Sequence, residues 1–260
     1  MSHLENNYLD YVSDKHLLQC ISNLYNSYIQ AKTEKTSTIP KFYRNKVDTF
    51  KLTFDLKFNN LSEEDLIKFE VSRQIDKSIN NAIGTFHEEI LGGIKGFSNG
   101  KLSGYDIKAD DNSLFAEIKN KHNTMNSSSA ESVFQKLEQF ANDNQQAKCY
   151  LVQTLAKKSF KKKWEATINK TPYRHDRVFM ISGDRFYGLL TGDENALFKL
   201  YEVLPKVIDD FLATNGESVT ESYNILEQIS NNALVSRRNI LDEISFQNFG
   251  YYQGFDSLNS

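Results

Sequence analysis

The sequence predicts a single α/β domain over residues 1–260, with extra helices at both ends. Three observations carry that prediction. Apolar residues recur at helical spacing over 8–32 and 62–93, short strand-like runs come in pairs around turn-forming residues, and Cys149–Leu155 reads as a buried strand. With 39% hydrophobic and 25% charged residues and only 3 prolines, the composition excludes collagen-like, coiled-coil and disulfide-dense classes. No apolar run approaches the roughly 20 residues that cross a bilayer, and the N-terminus MSHLENNYLDY lacks a basic-then-apolar signal, so a cytosolic protein is expected. Cys20 and Cys149 stand far apart, outside any zinc or disulfide spacing.

The elements follow in order. Ser62-Glu63-Glu64-Asp65 opens the second long helix with a capping pattern, Ile75, Ile79, Ala82, Ile83, Phe86 and Ile90 form its apolar face, and Gly92-Gly93 ends it. Strand-like runs at about 103–109 and 114–120 flank the turn-prone Asp110-Asp111-Asn112-Ser113. Ser127-Ser128-Ser129 precedes a helix over about 130–146, with Val133, Leu137, Phe140 and Ala141 on one face. After the 149–155 strand, Val178–Ser182 and Phe186–Leu190 predict a second hairpin turning at Gly183-Asp184. A last amphipathic helix covers about 195–213, bent or limited by Pro205.

The net charge of -3 hides an uneven distribution. Residues 95–185 carry 16 Lys+Arg against 10 Asp+Glu, a net of +6, whereas residues 186–260 carry 4 against 11, a net of -7. The densest basic piece is Lys157-Lys158-Ser159-Phe160-Lys161-Lys162-Lys163-Trp164. Basic residues interleaved with aromatics can neutralise phosphates; the alternative is a lysine-rich solvated face. Trp164 is expected to anchor this segment rather than offer a stacking platform.

The first hairpin carries the most specific chemistry. If its turn centres on Asp111-Asn112, residue 109 pairs with 114 and Asp106 falls opposite Glu117. Alternation puts Lys119 on the face of Glu117. Opposed carboxylates repel, which a divalent cation would resolve, and Mg²⁺ takes one or two carboxylates plus water and phosphate oxygens. Two carboxylates with a lysine are what phosphodiester hydrolysis needs: a metal site, and an ammonium to position water or stabilise developing charge.

Asp106…Glu117-Ile118-Lys119 resembles the active site of the PD-(D/E)XK nuclease superfamily, with Tyr105 where proline is usual. Gly84-Thr-Phe-His-Glu88-Glu-Ile-Leu91-Gly92 resembles the G-x-x-x-E-x-x-L-G helix of mismatch-repair nicking endonucleases and their restriction relatives. Over most of its length, on the segments 74–84, 117–130 and 181–192, the chain is similar to type II restriction endonucleases that cut GGNCC. The resemblance implies a restriction-endonuclease-like core at about 62–192, a mixed central sheet flanked by helices. It also implies Mg²⁺ held by Asp106, Glu117 and the Ile118 carbonyl, assistance from Glu88, and Lys119 orienting the attacking water. The implied partner is double-stranded DNA, cut by a homodimer in a prokaryotic cytoplasm. A methyltransferase would act on the same site without having to bind this chain. On a helical wheel Glu89 lies nearer the apolar face and Glu88 almost opposite; the resemblance favours Glu88.

Lys121, His122, Asn123 and Asn126 follow the motif and are expected to contact phosphates or the groove near the cut, the alternative being a polar turn-forming loop. Arg174, His175 and Arg177 are candidates for reading guanine, with a phosphate clamp as the alternative. Gln135 and Gln139 rank lower. Other readings of the same motif are a repair nickase, a resolvase, or a DNA-binding protein on an inactivated nuclease fold. There is no H-E-x-x-H, C-x-x-C or G-x-S-x-G.

Overall fold

The computed structural model describes residues 7–44, 46–100, 104–121, 125–215 and 224–250. In chain order its helices are α1 (Asp14–Thr36), α2 (Ile39–Tyr43), α3 (Thr49–Phe58), α4 (Glu63–Gly92), α5 (Ser127–Asp143), α6 (Gly183–Thr191), α7 (Ala196–Asn215), α8 (Asn224–Val235) and α9 (Ile240–Phe249). The strands are β1 (Phe97–Asn99), β2 (Ile107–Ala109), β3 (Leu114–Lys121), β4 (Lys148–Leu155), β5 (Lys161–Ile168) and β6 (Thr171–Ser182). Contacts divide the chain into two compact units, Met1–Leu24 with Ala82–Gly216, and Tyr25–Asn81 with Glu217–Ser260. Of the expected core at 62–192, the stretch from residue 82 onward falls in the first unit and the remainder in the second.

The first unit holds a six-stranded sheet in the order β1-β2-β3-β4-β6-β5. The β1-β2, β2-β3 and β5-β6 pairs are antiparallel, whereas β3-β4 and β4-β6 are parallel. Helix α5 is the crossover between the parallel strands β3 and β4. Asn126 caps it by accepting a hydrogen bond from the Ser129 N–H, so it begins at Ser127, earlier than the serine run suggested. Val133, Phe134, Leu137 and Ala141 of α5 pack on Phe115, Cys149, Leu151, Trp164 and Val178, which defines the α5 face of the sheet. On the opposite face Tyr150 packs against Phe179 and Phe186.

Two expectations change here. Residues 186–190 are not a strand but lie in α6, because Phe186, Tyr187 and Leu190 bury one helical face. Gly183 allows that helix to start: a Cβ there would stand 2.5 Å from the Thr154 carbonyl oxygen. Gly192, at φ +77°, closes it in the left-handed conformation that favours glycine. The real partner of β6 is β5, which the lysine run concealed. Asn169 and Lys170, at φ 51° and 67°, join them in the two-residue turn whose twist matches paired strands. Helix α7 runs through Pro205 without ending there.

The second unit is helical. Phe42, Val47, Leu52, Leu66, Ile67, Val71, Ile225, Ile229 and Ile244 form its core. The Ser62 hydroxyl accepts the Asp65 N–H at the start of α4, as the capping pattern predicted. Helices α2 and α3 were not read from the sequence. Among the described residues no helix is long and apolar enough to cross a membrane.

Candidate active site

The hairpin forms in the expected register. Ile107 pairs with Ala116 and Lys108 with Phe115, so one step further back Asp106 faces Glu117. The Asp106 N–H donates to the Ala116 carbonyl at 3.0 Å, continuing the ladder just beyond β2. Asn112 takes the left-handed conformation at φ 60°, and Asp111 accepts the Ser113 N–H, which tightens the turn. Phe115 lies in the core under α5, so alternation along β3 brings Glu117 and Lys119 to the α5 face.

These three side chains meet closely. The Ile118 N–H donates to Asp106 Oδ2 at 2.6 Å, and Lys119 Nζ donates to Glu117 Oε1 at 2.7 Å. A fourth residue joins them: Lys136 Nζ, from α5, lies 2.5 Å from Glu117 Oε2. Glu117 is 9% exposed. Burial raises the Asp106 pKa above the usual carboxylate range and the Glu117 charge adds to this, only partly offset by the Ile118 N–H and the two lysines. Burial also penalises Glu117, but its two ammonium partners outweigh that and hold it below the usual range. Two carboxylates with different environments therefore share the site, their pKa values pushed in opposite directions.

An open cleft of about 600 Å³ lies beside Lys119, lined by Met125, Ser128, Ser129, Ser132 and Val133. The first turn of α5 and its serine hydroxyls thus border the lysine. Gln153 sits in register with Lys119 on the adjacent strand β4 and is 8% exposed. Sequence reasoning missed both Lys136 and Gln153, and each carried a signal. Lys136 falls inside the apolar stripe Val133, Leu137, Phe140, where a charge needs a partner, and Gln153 interrupts an apolar strand. The exposed neighbours Gln135 and Gln139 do not share that stripe.

The other candidates are placed differently. Glu89 is buried, and its Oε2 accepts a hydrogen bond from Asn23 Nδ2 at 3.0 Å. Glu88 is half-buried on the other side of α4, as the wheel indicates. Lys121 is exposed at the end of β3, Asn126 serves as the α5 cap, and His122 and Asn123 lie outside the described residues.

Arg174 and Arg177 are not brought to this site. Met180 is level with Glu117 across β4, so Arg177 lies about 10 Å and Arg174 about 20 Å further towards the opposite end of the strands, at about 3.3 Å per residue. Arg177 Nη1 donates to the carbonyls of Asn144 and Gln145, which ties it to the turn after α5. His175 Nε2 lies 3.2 Å from Asn142 Oδ1. The basic run lies at the site's end instead: Lys161 is level with Ile181, and through β4 with Ile118. Trp164 is 4% exposed with its ring against Phe134, an anchor as expected. Burial pushes the Cys149 thiol up to about 12, which disfavours the thiolate a nucleophile needs.

A mixed sheet with a β-hairpin presenting Asp106, Glu117 and Lys119 beside an open cleft defines a restriction-endonuclease-like fold with a carboxylate–lysine centre. The sequence profile of the Eco47II restriction endonuclease family matches residues 9–213. The chain belongs to that family, which makes it a type II site-specific deoxyribonuclease. It is 38% identical to the type II restriction enzyme Sau96I of Staphylococcus aureus over 95% of its own length and 97% of that protein. It is 27% identical to the type II restriction enzyme Eco47II of Escherichia coli over 79% of its length and 88% of the relative.

Proposed function

We propose that the protein hydrolyses phosphodiester bonds in both strands of double-stranded DNA at GGNCC-type sites, in a Mg²⁺-dependent reaction. The observation that carries this reading is the opposed pair Asp106 and Glu117 with Lys119 on one face, in a chain of this family. Among the described residues no cluster of three His, Cys, Asp or Glu side chains stands ready for a metal. Two carboxylates nevertheless suit a hard cation that completes its shell with water and phosphate oxygens. Asp106, Glu117 and the Ile118 carbonyl would hold Mg²⁺, with Glu88 assisting. When bound, Mg²⁺ polarises the phosphate and acidifies a coordinated water.

Lys119, at the edge of the cleft, orients the attacking water and stabilises the charge growing on the phosphate oxygens. The serines and first turn of α5 suit a backbone phosphate, since N–H groups and the helix dipole converge there. The lysine run of β5, about 14 Å away across three strand spacings, extends a cationic surface along the same end of the sheet. Lys121 at the end of β3 and Asn126 at the cap of α5 suit contacts with the DNA backbone near the cut. A two-fold symmetric target calls for a homodimer. The exposed stripe Phe198, Tyr201, Ile208 and Leu212 on α7 is apolar surface in the acidic third that suits such contacts. The expected location is the cytoplasm.

Digestion of a plasmid of known sequence, with the fragment ends sequenced, tests the proposal. Discrete fragments ending at GGNCC sites, lost in EDTA and restored by Mg²⁺, are expected. Relaxed circles alone would identify a nickase, cleavage confined to branched DNA a resolvase, and binding without cleavage an inactivated fold.

The two helix glutamates separate in the same assay. Glu88→Ala is expected to slow cleavage at least about tenfold, as for loss of one group acting in the transition state. Glu89→Ala removes a buried acceptor of Asn23 and is expected to destabilise by about 1–3 kcal/mol. Full cleavage by Glu88→Ala would remove that residue from the mechanism.

A further inference from the structure

The Lys136 ammonium is not part of the three-residue motif, yet it occupies one oxygen of the motif's central carboxylate. Lys119 and Lys136 take the two oxygens of Glu117, at 2.7 and 2.5 Å. With Asp106 and Glu117 ionised, the four groups sum to zero before any cation or DNA arrives. A divalent cation entering this arrangement meets two ammoniums, whose charge opposes it at either oxygen of Glu117 and does so less where one of them withdraws.

The two lysines are not equivalent in this respect. Lys119 follows Glu117 by two residues on the same strand, so the sheet fixes their spacing. Lys136 reaches Glu117 from α5, across the gap between helix and sheet, on a flexible four-carbon stem. Its side chain keeps 33% exposure, and Ser132 and Val133, one turn earlier on α5, line the cleft beside Lys119. A short swing of the stem would carry the ammonium from Glu117 towards the space where a phosphate would lie.

We propose that Lys136 is a positioning residue that holds the cation place on Glu117 in the DNA-free protein and transfers its ammonium to a DNA phosphate when a divalent cation takes over that oxygen. The inference rests on the nuclease reading above. Metal loading and DNA binding are then coupled: phosphate draws Lys136 off Glu117 and favours the metal, and the metal releases Lys136 to the phosphate. Without DNA the site discriminates against divalent cations, which keeps the free enzyme largely unloaded.

Three proteins are compared: wild type, Lys136→Met, which keeps an unbranched apolar stem, and Lys136→Arg. Calorimetric titration of the DNA-free proteins with Ca²⁺ is expected to show binding at least about tenfold tighter in Lys136→Met, the scale on which removing one adjacent charge alters a carboxylate's ion preference. Lys136→Arg, whose fork grips a carboxylate more firmly, is expected to bind Ca²⁺ more weakly than wild type, which decides the case even where Lys136→Met folds poorly. In Ca²⁺, the slope of log affinity for duplex DNA against log salt is expected to fall by about 1 in Lys136→Met and to stay at the wild-type value in Lys136→Arg. A lysine that merely braces Glu117 would shift the Ca²⁺ affinity through its charge but leave the salt slope at the wild-type value. Unchanged Ca²⁺ affinity in both variants, or an unchanged salt slope in Lys136→Met, would overturn the proposal. The Ca²⁺ titration needs no cleavage, so a wild-type protein that fails to cut plasmid refutes the nuclease reading separately.

Discussion

Lys119→Ala is expected to slow single-turnover DNA cleavage by about 10²–10³-fold, the scale for removing one preorganised stabiliser of transition-state charge. The side chain lies at the mouth of the cleft, and its ammonium is held by Glu117 Oε1. The fold should tolerate the change. Lys136 still neutralises Glu117, and a lysine side chain 29% exposed at a strand end contributes little to packing. DNA affinity in Ca²⁺ should fall only modestly, since the ammonium acts chiefly on the reacting phosphate. Cleavage in Mg²⁺ and binding in Ca²⁺, measured on one duplex, separate these effects. Full cleavage by the variant would remove Lys119 from the chemistry, whereas parallel loss of binding and cleavage would make it a phosphate anchor only.

Trp164→Ala should give the largest loss of stability, about 3–5 kcal/mol, as is usual for deleting a large buried aromatic side chain. The indole is 4% exposed, with its ring centroid 5.3 Å from that of Phe134 in an edge-to-face pair. It is the buried residue of an otherwise exposed stretch, because Lys161, Lys162 and Lys163 all face solvent. The sheet register shifts between Lys163 and Glu165, so the chain is locally irregular where the tryptophan turns inward. Losing the ring therefore opens a cavity under α5 and loosens the edge strand that carries the basic run. For a unit of this size, such a loss lowers the melting temperature by roughly 10 °C or more. Lys162→Ala, two residues away at an exposed position, should stay within about 0.5 kcal/mol of wild type. Denaturation followed by circular dichroism makes the comparison. A Trp164→Ala loss under 1 kcal/mol would mean that the basic strand is held by its backbone pairing with β6 instead.

The legible parts of the site were those encoded within a few residues. The Asp106–Glu117 pairing follows from a four-residue turn and strict alternation, and both survive in the structure. Glu88 and Glu89 were separable on a wheel because one helix period decides which of two adjacent residues packs inward. Residues 186–190 failed for the same reason in reverse. Five apolar-rich residues are too few to separate period 2 from period 3.6, and only the glycines at either end, read with their neighbours, mark a helix. The β5–β6 hairpin failed because its strand alternation is overwritten by lysines that an edge strand tolerates on its exposed surface.

The sequence by itself determined the α/β class, the opposed carboxylates with their lysine, the indole as an anchor, and a basic middle ahead of an acidic end. All of these are local, set by side-chain period, turn residues and charge along the chain. Only the tertiary structure decided that Lys136 reaches Glu117, that Gln153 stands beside Lys119, and that Arg174 and Arg177 lie towards the opposite end of the sheet from the cleft. Each of these depends on β3, β4 and β6 running parallel with α5 crossing over them. Parallel pairing joins residues some thirty positions apart in sequence, through a register that no turn between them specifies.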